Sequence, residues 1–289
     1  MIKLDGTKIA ADIQADLTVQ VDQLREQGIV PGLAVIIVGE DPASKVYVGR
    51  KEKMAETMGI RSVRYALPAT ATEKEVLTLI EKLNQDPVID GILIQLPLPE
   101  QIREQKVLHA VDPKKEVDCF HPENIGKMLL GQDGLLPCTP HGIIRLLKAY
   151  NIPISGKNAV IIGRSNIVGK PLAQLLINEN ATVTLAHSRS RHLNYFTRNA
   201  DMLFVAIGRP NYIKAHMVKK DAVVVDVGIN RLEGKLVGDV DYESVSRIAG
   251  YLTPVPGGVG PMTIIMLMYN TIKACQTRRN DEDGRTDRQ

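Results

Sequence analysis

The 289-residue sequence has no tryptophan, only three phenylalanines, and only three cysteines: Cys119, Cys138 and Cys275. The cysteines form no CxxC pair and no metal-ligand spacing, which excludes a disulfide framework or a structural zinc site as the organising principle. An odd, sparse set fits a reducing compartment, with each thiol serving as a small buried hydrophobe. Charge of one sign is also scarce. A formal net charge of +3 is too small to point to nucleic acid or to an anionic membrane surface. No apolar run approaches the roughly 20 residues needed to cross a bilayer. The N-terminus, MIKLDGTKIAADI, lacks the apolar core of a signal peptide. These absences lead us to expect a cytoplasmic protein that binds no metal, no membrane and no nucleic acid.

What remains is an ordinary globular composition, 44% hydrophobic and 24% charged, over a length comfortable for two domains with buried cores. Short β-branched runs alternate with helix-compatible segments. LAVIIVG (from Leu33), the stretch from Arg61 to Ala66, and GILIQL (from Gly91) read as strands. Asp41-Pro42 reads as a helix start, Thr72 to Glu75 as a capping box, and Thr7 as a helix cap. Residues 97–140 loosen into proline, glycine and charge, and read as a passage between two lobes. A second series follows: NAVIIG, ATVTLAH, DMLFVAIG and DAVVVDVG. Strands alternating with helices imply parallel pairing and an α/β fold. The boundaries expected are a first domain at 1–138, completed by a C-terminal helix at about 262–278, and a second at 139–261. RRNDEDGRTDRQ contains no apolar residue, so 279–289 is expected to be a disordered tail.

The second series carries a candidate nucleotide turn. Gly163, Arg164, Ser165, Asn166, Ile167, Val168 and Gly169 follow a buried strand and precede a plausible helix start at Lys170-Pro171. Such a turn lets backbone N–H groups approach a pyrophosphate at the positive end of a helix. The middle glycine of GxGxxG is missing, so an ordinary tight turn is an equal reading of this motif alone. The next strand ends in His187-Ser188-Arg189 with no acid. A carboxylate there would hold the ribose hydroxyls of NAD and repel a 2′-phosphate, whereas Arg189, Ser188 and Arg164 suit NADP.

In the first series, Ser44, Tyr47 and Lys51 recur at helical spacing on one face. A helix lysine is ordinarily a solvated charge and a helix tyrosine ordinarily packing, so spacing does not decide their role. Gln95 is a polar amide near the carboxyl end of an apolar strand, where ligands of parallel sheets collect, and it needs a buried partner that Lys51 could supply. Asp118 in EVDCFHP is a loop carboxylate able to hold a polar ring by two hydrogen bonds, or simply a turn residue.

YVGRK, GILIQLPLP, VDCFHP, PCTPHG, GRSNIVGKP and TPVPGGVGPMT occur in that order. Together, from about Leu33 to Met268, they resemble the bifunctional methylenetetrahydrofolate dehydrogenase/methenyltetrahydrofolate cyclohydrolase family. The resemblance implies two α/β domains joined by two long helices around a cleft, the first domain catalytic and folate-binding and the second a Rossmann-type NADP-binding domain, in a homodimer. By position it implies Lys51 as the catalytic lysine, Tyr47 as a tyrosine against the pterin, Gln95 as the residue positioning Lys51, and Asp118 as the pterin grip. Ser44, Pro256, Gly257 and Gly258 join the substrate-binding set. Gly163, Arg164, Ser165, Ile167, Gly169, His187, Ser188, Arg189 and Ile229 form the cofactor-binding set. The implied reactions are oxidation of 5,10-methylenetetrahydrofolate with NADP and hydrolysis of the methenyl product to 10-formyltetrahydrofolate, with Lys51 as acid/base for the second. A monofunctional dehydrogenase and a non-catalytic NADP-binding regulatory module stay open as alternatives. One departure stands out: the family usually has glycine after its aspartate, where this chain has Cys119. We expect a negative φ there, at which cysteine is unstrained.

Overall fold

The structure, a computed structural model, describes residues 1–286. In chain order its elements are β1 (Ile2–Lys3), α1 (Gly6–Glu26), β2 (Gly32–Val38), α2 (Pro42–Thr57), β3 (Arg61–Leu67), α3 (Glu73–Gln85) and β4 (Gly91–Ile94). Then come α4 (Glu104–Leu108), α5 (Pro122–Leu129), α6 (Cys138–Ala149), β5 (Asn158–Ile162), α7 (Gly169–Asn178), β6 (Thr182–Ala186), α8 (Leu193–Thr197) and β7 (Met202–Val205). The chain ends with β8 (Val223–Asp226), β9 (Asn230–Leu232), β10 (Lys235–Val237), α9 (Tyr242–Val245), β11 (Tyr251–Leu252) and α10 (Val259–Thr286). Two compact units result: one takes Met1–Asp12 and Thr139–Thr263, the other Ile13–Cys138 and the chain from Ile264 onward. Among the described residues no helix is long and apolar enough to cross a membrane.

The first of these units is built on a six-stranded parallel sheet in the order β6-β5-β7-β8-β11-β1. Parallel strands need crossovers that cover both faces, and β7 and β8 are accordingly buried along their whole length and apolar except for the closing Asp226, itself buried. Val160, Leu203, Val205, Val224 and Leu252 meet in one core. From β5 the chain winds first to β6 on one side, then back to β7, β8 and β11 on the other. The winding reverses between β5 and β7, which is where open parallel sheets bind ligands.

The other unit carries the three-stranded parallel sheet β3-β2-β4, with reversal between β2 and β4. Every residue of β2 is buried, and Ile36, Val38, Val76, Ile80, Ile92 and Ile94 belong to its core. The expected helix starts form as their side chains dictate. Asp41 Oδ2 accepts from the Ser44 N–H at 2.7 Å ahead of Pro42, and Thr72 and Glu75 form a reciprocal capping box.

Several expectations are corrected. Residues 1–12 fall in the six-stranded unit, not with 13–138, because β1 pairs in parallel with β11 and Leu4 is fully buried. A two-residue strand is too short to announce itself by periodicity. At the start of α1 the Lys8 N–H bonds to Asp5 Oδ1 at 3.2 Å, while Thr7 donates its own N–H to the Gly257 carbonyl at 3.1 Å, so Asp5 caps the helix instead of Thr7. The stretch 97–140 is more than a passage: it holds α4 and α5, and Ile102, Val107, Leu108 and Val111 enter the three-stranded unit's core. The tail expected to be disordered from 279 is helical as far as Thr286, since an established helix extends cheaply. Residues 287–289 of that expectation lie outside the described residues.

Candidate active site

In the three-stranded unit the reversal point lies between the carboxyl ends of β2 and β4. The end of β2 leads through Gly39 and Asp41 into α2, which carries Ser44, Tyr47 and Lys51; the end of β4 leads directly to Gln95. Lys51 is only 6% exposed, and its Nζ donates to Gln95 Oε1 at 3.1 Å. Gln95 Nε2 donates to the Leu96 carbonyl at 2.7 Å, which orients the amide so that its oxygen faces the lysine. The buried Ser44 hydroxyl donates to the same carbonyl at 3.4 Å. The Tyr47 ring centroid lies 6.0 Å from the ammonium, at the outer limit of a cation–π contact. Burial pushes the Tyr47 phenol up, against a smaller opposing pull from Arg50. The helix spacing and the strand-end amide thus converge on one ammonium.

Asp118 also belongs to this group. Burial pushes its carboxyl up, while the Lys51 ammonium and a hydrogen bond from the Cys138 thiol act in the opposite direction. Its loop is held by Glu116, a buried acid whose Oε2 accepts from the Phe120 N–H at 2.7 Å and the His121 N–H at 2.9 Å. Desolvation raises Glu116 to about 7, outweighing those backbone donors, and the neighbouring Asp118 adds to the rise.

Cys119 corrects the expectation of negative φ: its φ is 63°. A side chain in the left-handed region costs roughly 1–2 kcal/mol. The loop sustains this because the flanking amides are bonded to Glu116 and the fully buried thiol donates to the Leu135 carbonyl at 3.1 Å. Cys138, Glu116 and Leu96 are members of this neighbourhood that sequence reasoning missed. A buried acid two residues before Asp118 was the available signal, but burial is not visible in a charged loop.

The six-stranded unit holds the remaining candidates. Gly163 follows β5 at φ 120°, and a Cβ there would lie 2.2 Å from the Ala206 carbonyl oxygen beyond β7. A Cβ on Gly169 would lie 2.1 Å from the Gly163 oxygen. Both positions therefore require glycine, and the turn closes tightly at the reversal point. Ser165 Oγ accepts from the Val168 and Gly169 N–H groups at 3.1 and 3.3 Å, taking two of the free donors at the start of α7. Arg164, Ser165 and Ile167 are exposed around the turn.

At the end of β6, His187 Nδ1 accepts from the Arg189 N–H at 3.1 Å, and Ser190 Oγ accepts from the His187 N–H at 2.9 Å. Ser188 and Arg189 are exposed on this turn, and no acid stands at the strand end. Ile229, half exposed, follows the carboxyl end of β8. A glycine cradle at the reversal point, with arginines and no acid beside it, fits a 2′-phosphorylated dinucleotide. Pro256, Gly257 and Gly258 lie between β11 and α10. They are fixed from below by the start of α1, where a Cβ on Gly6 would meet the Gly258 oxygen at 1.8 Å.

Comparison with known proteins also divides the chain into a catalytic part and a nucleotide-binding part, with the terminal segments 4–12 and 264–279 assigned by position along the chain instead of by contact. Residues 4–118 match the family model described as the tetrahydrofolate dehydrogenase/cyclohydrolase catalytic domain. Residues 137–279 match that of its NAD(P)-binding domain. The chain is 56% identical over 275 residues to the bifunctional protein FolD of Halalkalibacterium halodurans, covering 95% of this chain and 99% of that protein. With its Bacillus subtilis counterpart the identity is 54% over 274 residues, covering 94% and 97%. Among solved structures, the bifunctional methylenetetrahydrofolate dehydrogenase/cyclohydrolase of Campylobacter jejuni superposes with a TM-score of 0.95 at 50% identity, covering 96% and 99%. The Trypanosoma brucei dehydrogenase-cyclohydrolase, solved with NADP cofactor and inhibitor, superposes at 0.92 and 36% identity, covering 96% and 98%. The chain belongs to the tetrahydrofolate dehydrogenase/cyclohydrolase family.

Proposed function

We infer that the protein oxidises 5,10-methylenetetrahydrofolate to the 5,10-methenyl cation with NADP and then hydrolyses that cation to 10-formyltetrahydrofolate. The residue roles are our assignment, and the observation that carries it is the buried Lys51 donating to the half-buried Gln95 amide at 3.1 Å beside Asp118. Gly163, Arg164, Ser165, Ile167 and Gly169, together with His187, Ser188, Arg189 and Ile229, would hold NADP, with His187, Ser188 and Arg189 suited to its 2′-phosphate; bound there, it would supply the hydride acceptor. For that step the chain contributes position and orientation of bound partners. Asp118 grips the pterin edge, Tyr47 lies against its ring, and Ser44 with Pro256, Gly257 and Gly258 completes substrate binding.

In the second step water attacks the cationic carbon and gives up one proton to form a hydroxyl adduct; the carbon–nitrogen bond to N5 then breaks as the hydroxyl's remaining proton passes to that nitrogen, leaving the formyl group on N10 and one net proton released. Lys51 moves the proton, and Gln95 holds its amine in place by accepting one N–H. The protein acts as a homodimer in the cytoplasm, with residues 13–138 and the α10 segment forming the folate unit and 139–263 with 1–12 the NADP unit.

Lys51→Met tests the assignment. Hydrolysis followed by decay of methenyltetrahydrofolate absorbance should fall by at least about a hundredfold, the usual worth of a positioned acid/base, while NADP still binds. Undiminished hydrolysis in that variant would remove Lys51 from the mechanism. Mixing wild-type protein with methylenetetrahydrofolate and either NADP or NAD tests the cofactor. Methenyl absorbance should appear faster with NADP.

A further inference from the structure

Beyond β7 the chain makes an unusual convergence of backbone donors. The Ile207 and Gly208 N–H groups donate to Asp239 Oδ2 at 2.7 and 2.9 Å, and the Arg209 N–H donates to Oδ1 at 2.8 Å. Asn230 Nδ2 adds a fourth donor to Oδ1 at 2.9 Å. Asp239 is fully buried. Its own backbone is fixed by a second buried carboxylate, Asp226 at the end of β8. Asp226 Oδ1 accepts from the Gly228 and Asp239 N–H groups at 3.0 and 2.9 Å, and Oδ2 from the Val240 N–H at 2.9 Å. The approach is close enough that a Cβ on Gly228 would lie 2.2 Å from the Asp239 carboxyl carbon, and one on Gly238 would lie 1.8 Å from Asp226 Oδ2.

Successive N–H groups that point to one spot form a nest, the kind of concavity that takes phosphate in nucleotide-binding proteins. Here the chain's own carboxylate fills it. The segment so held starts at Ala206, whose N–H donates to the Ile162 carbonyl at 2.8 Å and whose oxygen abuts Gly163. It is therefore one wall of the crevice at the β5/β7 reversal point.

We propose that Asp239 is a positioning residue for the cofactor: it fixes the 207–209 wall against the Gly163 turn and denies that nest to phosphate, leaving the 163–169 turn as the pyrophosphate site. Asp226 positions Asp239 in turn. The proposal rests on the assignment of NADP to this crevice.

Asp239→Asn puts an amide donor against backbone donors, so at least one of the wall's hydrogen bonds is lost. The dissociation constant for NADP should rise about tenfold by calorimetry, as expected for loss of one or two buried bonds. The KM for NADP should rise in proportion, with the KM for methylenetetrahydrofolate within about twofold of wild type. A merely destabilised protein would instead move both KM values together, and that pattern overturns the proposal. Asn230→Ala removes one donor and keeps the carboxylate, so it serves if Asp239→Asn does not fold. It should weaken NADP binding about two- to threefold while accelerating amide exchange at 207–209. Wild type that does not bind NADP overturns the cofactor assignment itself; wild type that binds, with unchanged affinity in the folded variants, overturns only the role of Asp239.

Discussion

At the scale of single residues, Gln95 shows how a hydrogen bond chooses a direction. Its Nε2 is committed to the Leu96 carbonyl, so only Oε1 faces Lys51. Gln95→Ala leaves the buried ammonium without that acceptor, and we expect hydrolytic kcat to fall at least tenfold while calorimetric NADP affinity stays at the wild-type value; unchanged kcat would show that Lys51 needs no such holder. Cys119 makes a second case. At φ 63° a thiol is tolerated through its bond to the Leu135 carbonyl. A β-branched side chain suits this region worse and cannot donate, so Cys119→Val should cost about 2 kcal/mol or more in urea unfolding. Cys119→Gly relieves the strain but empties a buried site and frees the unfolded chain, so its net effect should stay within about 1 kcal/mol. Equal stability of the two variants would mean that the loop relaxes and stores no strain.

At the scale of elements, both sheets put their candidate groups at the carboxyl ends of the strands where the winding reverses. The turn after β5 depends on two glycines for different reasons. Gly163 lets the Ala206 carbonyl approach, and Gly169 lets α7 start against the Gly163 oxygen. Backbone atoms cannot step aside as a flexible side chain can. Gly169→Ala should therefore abolish measurable NADP binding or prevent folding of the 139–263 unit, whereas Gly156→Ala, where nothing lies within 4 Å, should cost only the roughly 1–2 kcal/mol of an alanine at φ 73° and do neither. Calorimetric titration of both variants decides this, with circular dichroism reporting the fold. Helix ends give a smaller and cleaner number: Thr72→Ala removes the reciprocal cap of α3 and should cost about 1 kcal/mol.

At the scale of the whole molecule, buried acids set the pH dependence. Burial raises Glu116 to about 7 and Asp226 to about 6, each above its ordinary carboxylate value. A raised folded-state pKa means that the folded protein holds the proton more tightly. That contribution is fully present below the unfolded pKa and is lost as pH rises through about 6 and about 7. Each group can account for up to about 3 kcal/mol. Surface carboxylates such as Asp5, Glu75 and Asp201 are shifted down, so they withdraw stability only in more acidic solution. Lys115, held near 8 by burial, acts only above that pH. Unfolding free energy should thus decline between pH 5 and 8, and Glu116→Gln should flatten that decline; an unchanged slope would remove Glu116 as its source. Saturating NADP at a hundred times its dissociation constant should stabilise the protein by about 2.7 kcal/mol. Amide protection should concentrate at 163–169, 187–190 and 206–209.

Sequence alone determined the alternating α/β plan, because strand and helix periodicities and caps are local. Asp41, Thr72 and the apolar runs of β2, β5, β7 and β8 needed no partner to be read. The ordered motifs were enough to bring the family into view, and with it the candidate roles of Lys51, Tyr47, Gln95, Asp118 and Gly163 to Gly169. Tertiary structure alone decided which side chains meet. That β1 crosses to the sheet of β11, that Glu116 ties the Asp118 loop, and that Asp239 fills a backbone nest beyond β7 all depend on contacts between residues distant in the chain. Burial of a charged group leaves no periodic trace in its neighbours, so a loop aspartate that organises a wall reads the same as one facing water.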